Sequence, residues 1–188
     1  MGNEINLMKN YPKSKRDIKS RGNSKTQIDR KIAREFGKEF FDGNRSQGYG
    51  GFNYDPKYWK EVIPDFQKHF NLSSKDSILD VGCAKGFMIF DFERLIPGIS
   101  VRGVDISNYA IENAKSEVRE KCTVANAMKL PFADNSFDIV ISITTLHNLE
   151  IEDLKVSLNE IQRVSKRGSF ITLDAYRNEE ERIAMESW

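Results

Sequence analysis

The sequence predicts an α/β protein with a doubly wound, mainly parallel β-sheet that helices cover on both faces. Three observations support this prediction. Short apolar runs alternate with helix-like segments along the second half of the chain, the turns between them are short, and the runs resemble strands buried on both faces. This order favours right-handed crossovers between parallel strands. The 188 residues suffice for one α/β domain with a substantial core.

The predicted elements follow one another closely from residue 76 onward. Strands are expected at residues 78–81, 100–105, 122–125, 139–143 and 169–173. Helices are expected at residues 87–95, 107–118 and 151–165, with a last one after the fifth strand. Ser107 is a suitable N-cap for the helix that follows the second strand.

The stretch S-I-L-D-V-G-C-A-K-G-F-M, from Ser77 to Met88, carries the most specific pattern in the chain. A strand that contains Asp80 leads into a turn with two glycines, and a helix follows. Glycines let the backbone approach a ligand closely, and free N–H groups at a helix start can bind it. Asp105, 25 residues after Asp80, ends the next strand, where βαβ nucleotide sites bind a ribose diol. The alternative interpretation is an ordinary strand–helix turn.

Two common nucleotide-binding patterns do not fit this stretch. Counted from Gly82, the dinucleotide pattern G-x-G-x-x-G would need glycine at Ala84 and Phe87, and the phosphate-loop pattern is absent. The stretch instead resembles the first motif of class I S-adenosylmethionine (SAM)-dependent methyltransferases, hydrophobic-D-x-G-x-G-x-G. Asp80, Gly82 and Gly86 match that motif, and Ala84 replaces its middle glycine. We expect this replacement to be tolerated if φ at Ala84 is negative.

The resemblance continues from Ser77 to Asp174. The segments L-P-F-A-D-N-S-F-D-I-V-I-S, L-H-N-L and R-V-S-K-R-G are similar to the methyltransferase group often called type 11. The resemblance implies a Rossmann-like fold and S-adenosyl-L-methionine as cofactor. By position, it implies a set of cofactor-binding residues, which are Asp80, Gly82, Cys83, Ala84, Gly86, Asp105, Ile106, Asn126, Ala127, Met128 and Thr144.

The family places specific parts of the cofactor beside these residues. Asp105 would bind both ribose hydroxyls, and Ile106 would lie against the adenine. Asn126 replaces the usual acid after the third strand, and residues 126–128 would meet the adenine edge. Residues 144–147 would line the methionine and acceptor side. His147 is the candidate base, because an imidazole can accept a proton near neutral pH; the alternative is a structural role in the wall of the pocket.

The N-terminal 75 residues match no motif. Residues 1–25 are expected to form a basic, disordered tail, because ten Lys or Arg between Lys9 and Arg34 face only Asp17 and Asp29. Residues 26–75 are expected to hold helices and a glycine-rich aromatic loop, and residues 76–188 the SAM-binding core. An amphipathic helix is predicted at 26–41, and another starts at Asp55 and is expected to be kinked or divided at Pro64.

The loop at 42–55 contains four glycines and three aromatic residues. It is interpreted either as a lid over the cofactor or acceptor, or as a loop whose rings hold it against the core. Under the first interpretation Tyr49 and Tyr54 would contact substrate. Asp174, at the end of the fifth strand, is a weaker candidate for the substrate side, because such acids often cap the following helix.

The end of the chain departs from the family pattern. Family members usually have seven strands, of which the last two form an antiparallel hairpin. Only residues 176–188 follow the fifth strand, and they read as a helix. We therefore expect a sheet without the C-terminal hairpin, and thus a core that is short at its C-terminus and has an exposed edge.

Composition reduces the number of possible function classes. The net charge is +1, and two cysteines suggest neither a disulfide framework nor a zinc site, as expected in the cytoplasm. No membrane span, signal peptide or metal-ligand cluster is apparent. The leading hypothesis is methyl transfer to a small-molecule, sugar or lipid-precursor acceptor. The alternatives are an RNA methyltransferase that uses the basic N-terminal segment, and a non-catalytic SAM-binding protein. The oligomeric state is not predicted.

Overall fold

The computed structural model describes residues 5–13, 25–176 and 178–186. Its centre is a five-stranded sheet with the order β3-β2-β1-β4-β5, in which every neighbouring pair is parallel. The strands are β1 (Ser77–Val81), β2 (Ser100–Asp105), β3 (Cys122–Val124), β4 (Phe137–Ile143) and β5 (Ser165–Thr172). The helices are α1 (Gln27–Arg34), α2 (Lys38–Asp42), α3 (Ile63–Phe70), α4 (Phe87–Leu95), α5 (Asn108–Glu112), α6 (Ile151–Val164) and α7 (Glu179–Glu186). The predicted α/β class and parallel sheet are confirmed.

The two faces of the sheet each carry a hydrophobic core. Along β1, Ile78 belongs to one core and Leu79 to the other, as expected for a strand whose successive side chains point to opposite faces. The first core contains Phe66 from α3 and Phe92 from α4, and the second contains Ile161 from α6. Burial on both faces explains why the strands are apolar runs without polar alternation.

The strand order reverses beside β1. The chain runs from β1 outward through β2 to β3, then returns to the other side of β1 for β4 and β5. In open parallel sheets, ligands bind outside the carboxyl ends of the strands at such a reversal. The carboxyl ends of β1, β2 and β4 therefore define the candidate site. Among the described residues, no strand follows β5, which is consistent with the expected absence of a terminal hairpin.

The prediction of a single helix at 26–41 is wrong, because the structure has two helices there, α1 and α2. Thr26 and Asp29 form a capping box that starts α1. The chain then breaks at Phe36, whose φ is +47°. The carbonyl of Phe36 accepts a hydrogen bond from the hydroxyl of Ser107 (2.5 Å), so a contact distant in sequence accompanies the break.

Two other predicted helices are shorter than expected. Turns occupy residues 56–62, and Pro64 lies in the first turn of α3, where its missing N–H costs no hydrogen bond. Of the two expected outcomes at Pro64, a kink or a division of the helix, the structure shows the division, with turns before Ile63 and α3 after it. Ser107 is confirmed as an N-cap, since its hydroxyl oxygen accepts from Ala110 N (3.0 Å). However, α5 ends at Glu112 rather than near Val118.

Part of the segment expected to be a disordered tail packs on the domain. Leu7 is only 3% exposed and belongs to the first core. The ring of Tyr11 meets that of Trp59 edge-on at 5.2 Å. Residues 1–4 and 14–24, which include much of the basic run, lie outside the described residues. None of the helices in the described ranges has the length and hydrophobicity that crossing a membrane requires.

Candidate cofactor site

The loop between β1 and α4, residues 82–86, has an unusual backbone. Gly82, Ala84 and Gly86 have φ values of +87°, +48° and +73°. The N–H groups of Gly82 and Cys83 both donate to the carbonyl of Val104, at 2.8 and 2.9 Å. The loop therefore turns sharply over the end of β2, and α4 begins directly after it.

The condition set for Ala84, a negative φ, is not met, because its φ is +48°. The left-handed conformation costs an L-residue about 1–2 kcal/mol, which explains why the family pattern has glycine there. Tertiary contacts hold Ala84 in this conformation, because its N–H donates to Oδ2 of Asp105 (2.8 Å). The turn geometry of the family motif is thus kept without its middle glycine.

Replacement of Ala84 by glycine is expected to be neutral or stabilising. Relief of about 1–2 kcal/mol of strain is opposed by about 0.4–1 kcal/mol of added unfolded-state entropy. Urea unfolding of Ala84→Gly should therefore show an unfolding free energy equal to, or up to about 1.6 kcal/mol above, that of the wild type. The control is Ala110→Gly in α5, which should destabilise by about 1 kcal/mol or more. Equal destabilisation by both changes would contradict the assignment of strain.

The carboxylate of Asp105 joins the loop to the start of α5. Its Oδ2 accepts from Ala84 N, and its Oδ1 accepts from Ser107 N at 2.9 Å. Burial raises the pKa of Asp105, while the backbone N–H groups that it binds, including that of Ile106, oppose this effect. Each carboxylate oxygen can accept more than one hydrogen bond, so both retain capacity for a ligand hydroxyl.

Asp80 is a second acid near the same sheet edge, on the strand beside Asp105. It is only 4% exposed, and burial raises its pKa well above the usual range for a carboxyl, with smaller contributions from Cys122 and Asp105. A cationic ligand group beside it would favour the ionised form and lower that pKa. The pair of acids can therefore respond differently to a bound ligand.

The residues predicted to meet adenine lie at the ends of β2 and β3. Ile106 is 53% exposed directly after Asp105, which leaves an apolar surface at this edge. The Oδ1 atom of Asn126 accepts from Met128 N (2.9 Å), so this side chain caps its own turn. Ala127 lies within that turn, and the turn follows β3 closely.

The chain after β4 packs against the glycine loop. A Cβ atom added to Gly82 would lie 2.1 Å from Oγ1 of Thr145, so only glycine fits there. Thr144 has a φ of +50°, and its N–H donates to Oγ1 of Thr172 on β5 (2.9 Å). The proximity of Thr145 to Gly82 brings the predicted methionine side of the site next to the first motif.

The two candidate residues for proton transfer lie close together. Nε2 of His147, after β4, is 3.8 Å from Oδ2 of Asp174, after β5. The His147 side chain is 26% exposed and that of Asp174 is 58% exposed. Both groups are accessible from solvent.

Tyr49 and Tyr54 belong to the ring cluster of the aromatic loop. The ring of Tyr49 lies 4.3 Å from that of Phe52, and the hydroxyl of Tyr54 donates to Oδ1 of the fully buried Asp91 (2.7 Å). Burial, with the contribution of Asp91, raises the pKa of Tyr54 to about 12. These contacts support the interpretation that the rings hold the loop against the core.

Sequence reasoning did not single out three residues that adjoin the site. Lys85, inside the glycine loop, contacts Asp42 from α2, and Tyr109 from α5 donates to the same carboxylate. The available signal was a lysine inside the glycine turn at residues 82–86, because an ammonium that becomes buried there requires a counter-ion.

The fold is an α/β sheet whose strand order reverses beside β1, and the glycine loop and Asp105 lie at the carboxyl ends of β1 and β2. The family model for the methyltransferase domain of the type 11 group matches residues 79–173, about half of the chain. The chain belongs to this family, within the class I SAM-dependent methyltransferases.

Relatives with known names support this assignment and differ in acceptor. The chain is 31% identical over 152 residues to a demethylmenaquinone methyltransferase of Symbiobacterium thermophilum, covering 75% of this chain and 59% of the relative. It is 34% identical over 112 residues to a tRNA (carboxymethyluridine(34)-5-O)-methyltransferase of Arabidopsis thaliana, covering 59% and 26%. The match spans 38% to 59% of the length of the first three curated relatives.

A solved structure extends the likeness to the fold. The crystal structure of a SAM-dependent methyltransferase from Methanosarcina mazei is similar to this chain with a TM-score of 0.53 and 27% identity. The match covers 63% of this chain and 61% of that one.

Proposed function

We propose that this protein transfers a methyl group from S-adenosylmethionine to a small-molecule, sugar or lipid-precursor acceptor. The observation that carries the proposal is the link between Asp105 and Ala84. It joins the acid at the end of β2 to the glycine loop at the end of β1, where the strand order reverses. The carboxylate that would bind the ribose and the loop whose backbone would approach the cofactor therefore lie at the same edge of the sheet.

The chain's own residues would hold the cofactor in distinct ways. Asp105 would accept the ribose hydroxyls, and the exposed side chain of Ile106 would cover one face of the adenine. The turn at residues 126–128 would meet the adenine edge, and Thr144 would face the methionine part. The cofactor supplies an electrophilic methyl group on a sulfonium, so the protein mainly positions the reactants.

His147 and Asp174 are proposed to act on the acceptor side. Their 3.8 Å separation places the carboxylate of Asp174 beside the imidazole of His147. His147 would then accept a proton from an acceptor hydroxyl or amine as the methyl group is transferred. Asp174 would be a positioning residue, since it would act through the imidazole.

RNA is the second candidate acceptor, and the tRNA-modifying relative is the observation that favours it. Against it, residues 144–147 read T-T-L-H rather than the Asn/Asp-Pro-Pro-Tyr signature of enzymes that modify amino groups of bases. Phosphate contacts make RNA binding fall steeply with salt. Binding of bulk RNA that weakens at least tenfold between about 50 and 200 mM salt would favour this candidate.

Cofactor choice tests the proposal directly. Calorimetric titrations should show binding of S-adenosylmethionine and of its demethylated product, S-adenosylhomocysteine, but not of NAD or ATP, because the loop lacks both of their sequence patterns. Tight NAD binding without any response to the sulfonium compound would contradict the proposal. Incubation with labelled cofactor and fractionated cell extract should then yield a labelled small molecule.

The same titrations are expected to release protons. Burial raises the pKa of Asp80 well above the usual range for a carboxyl, and a cationic group bound nearby would lower it. A fall of this pKa on binding releases protons at pH values between the two pKa values, and over that range affinity should increase as the pH rises. Titrations in two buffers of different ionisation enthalpy measure the release, and Asp80→Asn should abolish it.

A further inference from the structure

The residues that precede α3 pack against the candidate site. Residues 36–54, called here the cap segment, contain α2 and the glycine-rich aromatic loop. Phe36 contacts Ser107 at the start of α5, and the ring of Phe52 stacks on that of Phe87 at 5.0 Å. Phe87 is the first residue of α4, so the cap segment meets both helices that follow the cofactor-binding strands.

A buried ion pair lies at the centre of this contact. Nζ of Lys85 lies 2.8 and 2.7 Å from the two carboxylate oxygens of Asp42, and it donates to the carbonyl of Phe52 (3.0 Å). The Lys85 side chain is 8% exposed and that of Asp42 is 26% exposed. Tyr109 donates to Oδ2 of Asp42 (2.7 Å), and Phe52 N donates to Oδ1 (3.0 Å). The hydrogen bonds to Asp42 lower its pKa against the opposing effect of burial.

The backbone of Lys85 is also fixed by contacts with its surroundings. Lys85 lies between Ala84 and Gly86, both left-handed, and its carbonyl accepts from Lys115 N (3.0 Å). Ala84 in turn donates to Asp105. Any displacement of the cap segment that moves the Lys85 side chain would therefore act on the loop that Asp105 holds.

We propose that Lys85, neutralised by Asp42, is a positioning residue that couples the cap segment to the cofactor loop. Ordering of residues 36–54 and binding of the cofactor then stabilise each other, although the cap contacts need not touch the cofactor. This inference rests on the proposed function, because it takes the loop to be a SAM-binding loop. It also explains why a lysine stands inside an otherwise apolar and glycine-rich motif.

The charges of Asp42 and Lys85 predict that substitution of one lowers the melting temperature more than substitution of the other. Asp42→Asn leaves a buried ammonium with only neutral partners, whereas Lys85→Met leaves a carboxylate that water can reach. Asp42→Asn should therefore lower the melting temperature more than Lys85→Met. The double variant should return to the melting temperature of Lys85→Met. Tyr109→Phe removes one hydrogen bond to Asp42 and keeps the ring. This milder variant tests the same contact if the charge variants fold poorly.

Hydrogen exchange with and without S-adenosylhomocysteine tests the coupling. In the wild type, the ligand should slow exchange of the amides of residues 36–54. In Asp42→Asn and in the double variant this ligand-dependent protection should be lost, and the affinity should fall about tenfold, the scale of one contact. Tyr109→Phe should show the same changes at smaller size. Glu93→Gln is the matched control, because Glu93 pairs with Lys121 away from the loop, and it should change affinity less than twofold.

The outcomes separate this proposal from the proposed function. If the wild type binds S-adenosylhomocysteine and the Asp42 variants bind it equally well with unchanged protection of the cap, the coupling is overturned and the function stands. If the wild type does not bind this ligand, the proposed function fails and the coupling fails with it. A lower melting temperature with unchanged ligand protection would assign the ion pair a purely structural role.

Discussion

Asp105→Ala is expected to weaken SAM binding by about 2–4 kcal/mol, from about thirtyfold to nearly a thousandfold. An ionised carboxylate can accept hydrogen bonds from both ribose hydroxyls, and each bond of this kind contributes about 1.5–3 kcal/mol without full additivity. The variant also removes the acceptor of the Ala84 and Ser107 N–H groups. Part of the lost affinity therefore reflects a loosened loop.

Two measurements on the same protein separate these effects. Loss of the backbone contacts should lower the unfolding free energy by about 1–2 kcal/mol, which thermal unfolding reports. Asp105→Asn should fall between the wild type and Asp105→Ala in affinity, because an amide has one acceptor oxygen and no charge. A destabilised Asp105→Ala that binds the cofactor as the wild type does would overturn the ribose assignment.

His147→Asn is expected to reduce turnover by about a hundredfold or more while leaving cofactor affinity unchanged. General-base catalysis contributes about 10²–10⁴-fold, and an asparagine cannot accept the proton. The acidic limb of the pH–rate profile should disappear with the imidazole. Steady-state kinetics with an identified acceptor, together with calorimetry for the cofactor, measure both quantities.

Two further variants define the role of His147. Asp174→Asn should reduce turnover about tenfold or less, because Asp174 would act through the imidazole at 3.8 Å rather than on the acceptor. His69→Asn, in the last turn of α3, is the control and should leave turnover unchanged. Unchanged turnover in His147→Asn would show that the residue only supports the wall of the site.

The core of the fold was predictable because its pattern is local. Apolar runs buried on both faces mark the five strands, and the strand, glycine turn and helix around Gly82 mark the loop. Asp105 could be selected for a similar reason, since the residue that ends a parallel strand lies at the ligand-binding edge. The structure moves the strand boundaries by up to four residues and leaves their order intact.

The N-terminal elements were less predictable because contacts distant in sequence shape them. Apolar spacing at residues 26–41 fits one helix, but the helix breaks at Phe36, whose carbonyl binds Ser107, 71 residues away. Helix α5 also departs from the local pattern, since it ends at Glu112 rather than near Val118. Local propensity is a weak preference that tertiary contacts of this kind override.

The sequence by itself determined the α/β class, the parallel order of strands, and the acids and glycines at the candidate site. These features follow from the period of apolar residues and from the backbone freedom of glycine, which are properties of neighbouring residues. Only the tertiary structure decided that Ala84 adopts a left-handed conformation, that Thr145 covers Gly82, and that Asp42 neutralises Lys85 from 43 residues away. Each of these depends on how separate elements meet in space, because a buried charge or a strained residue is stable only when distant partners hold it.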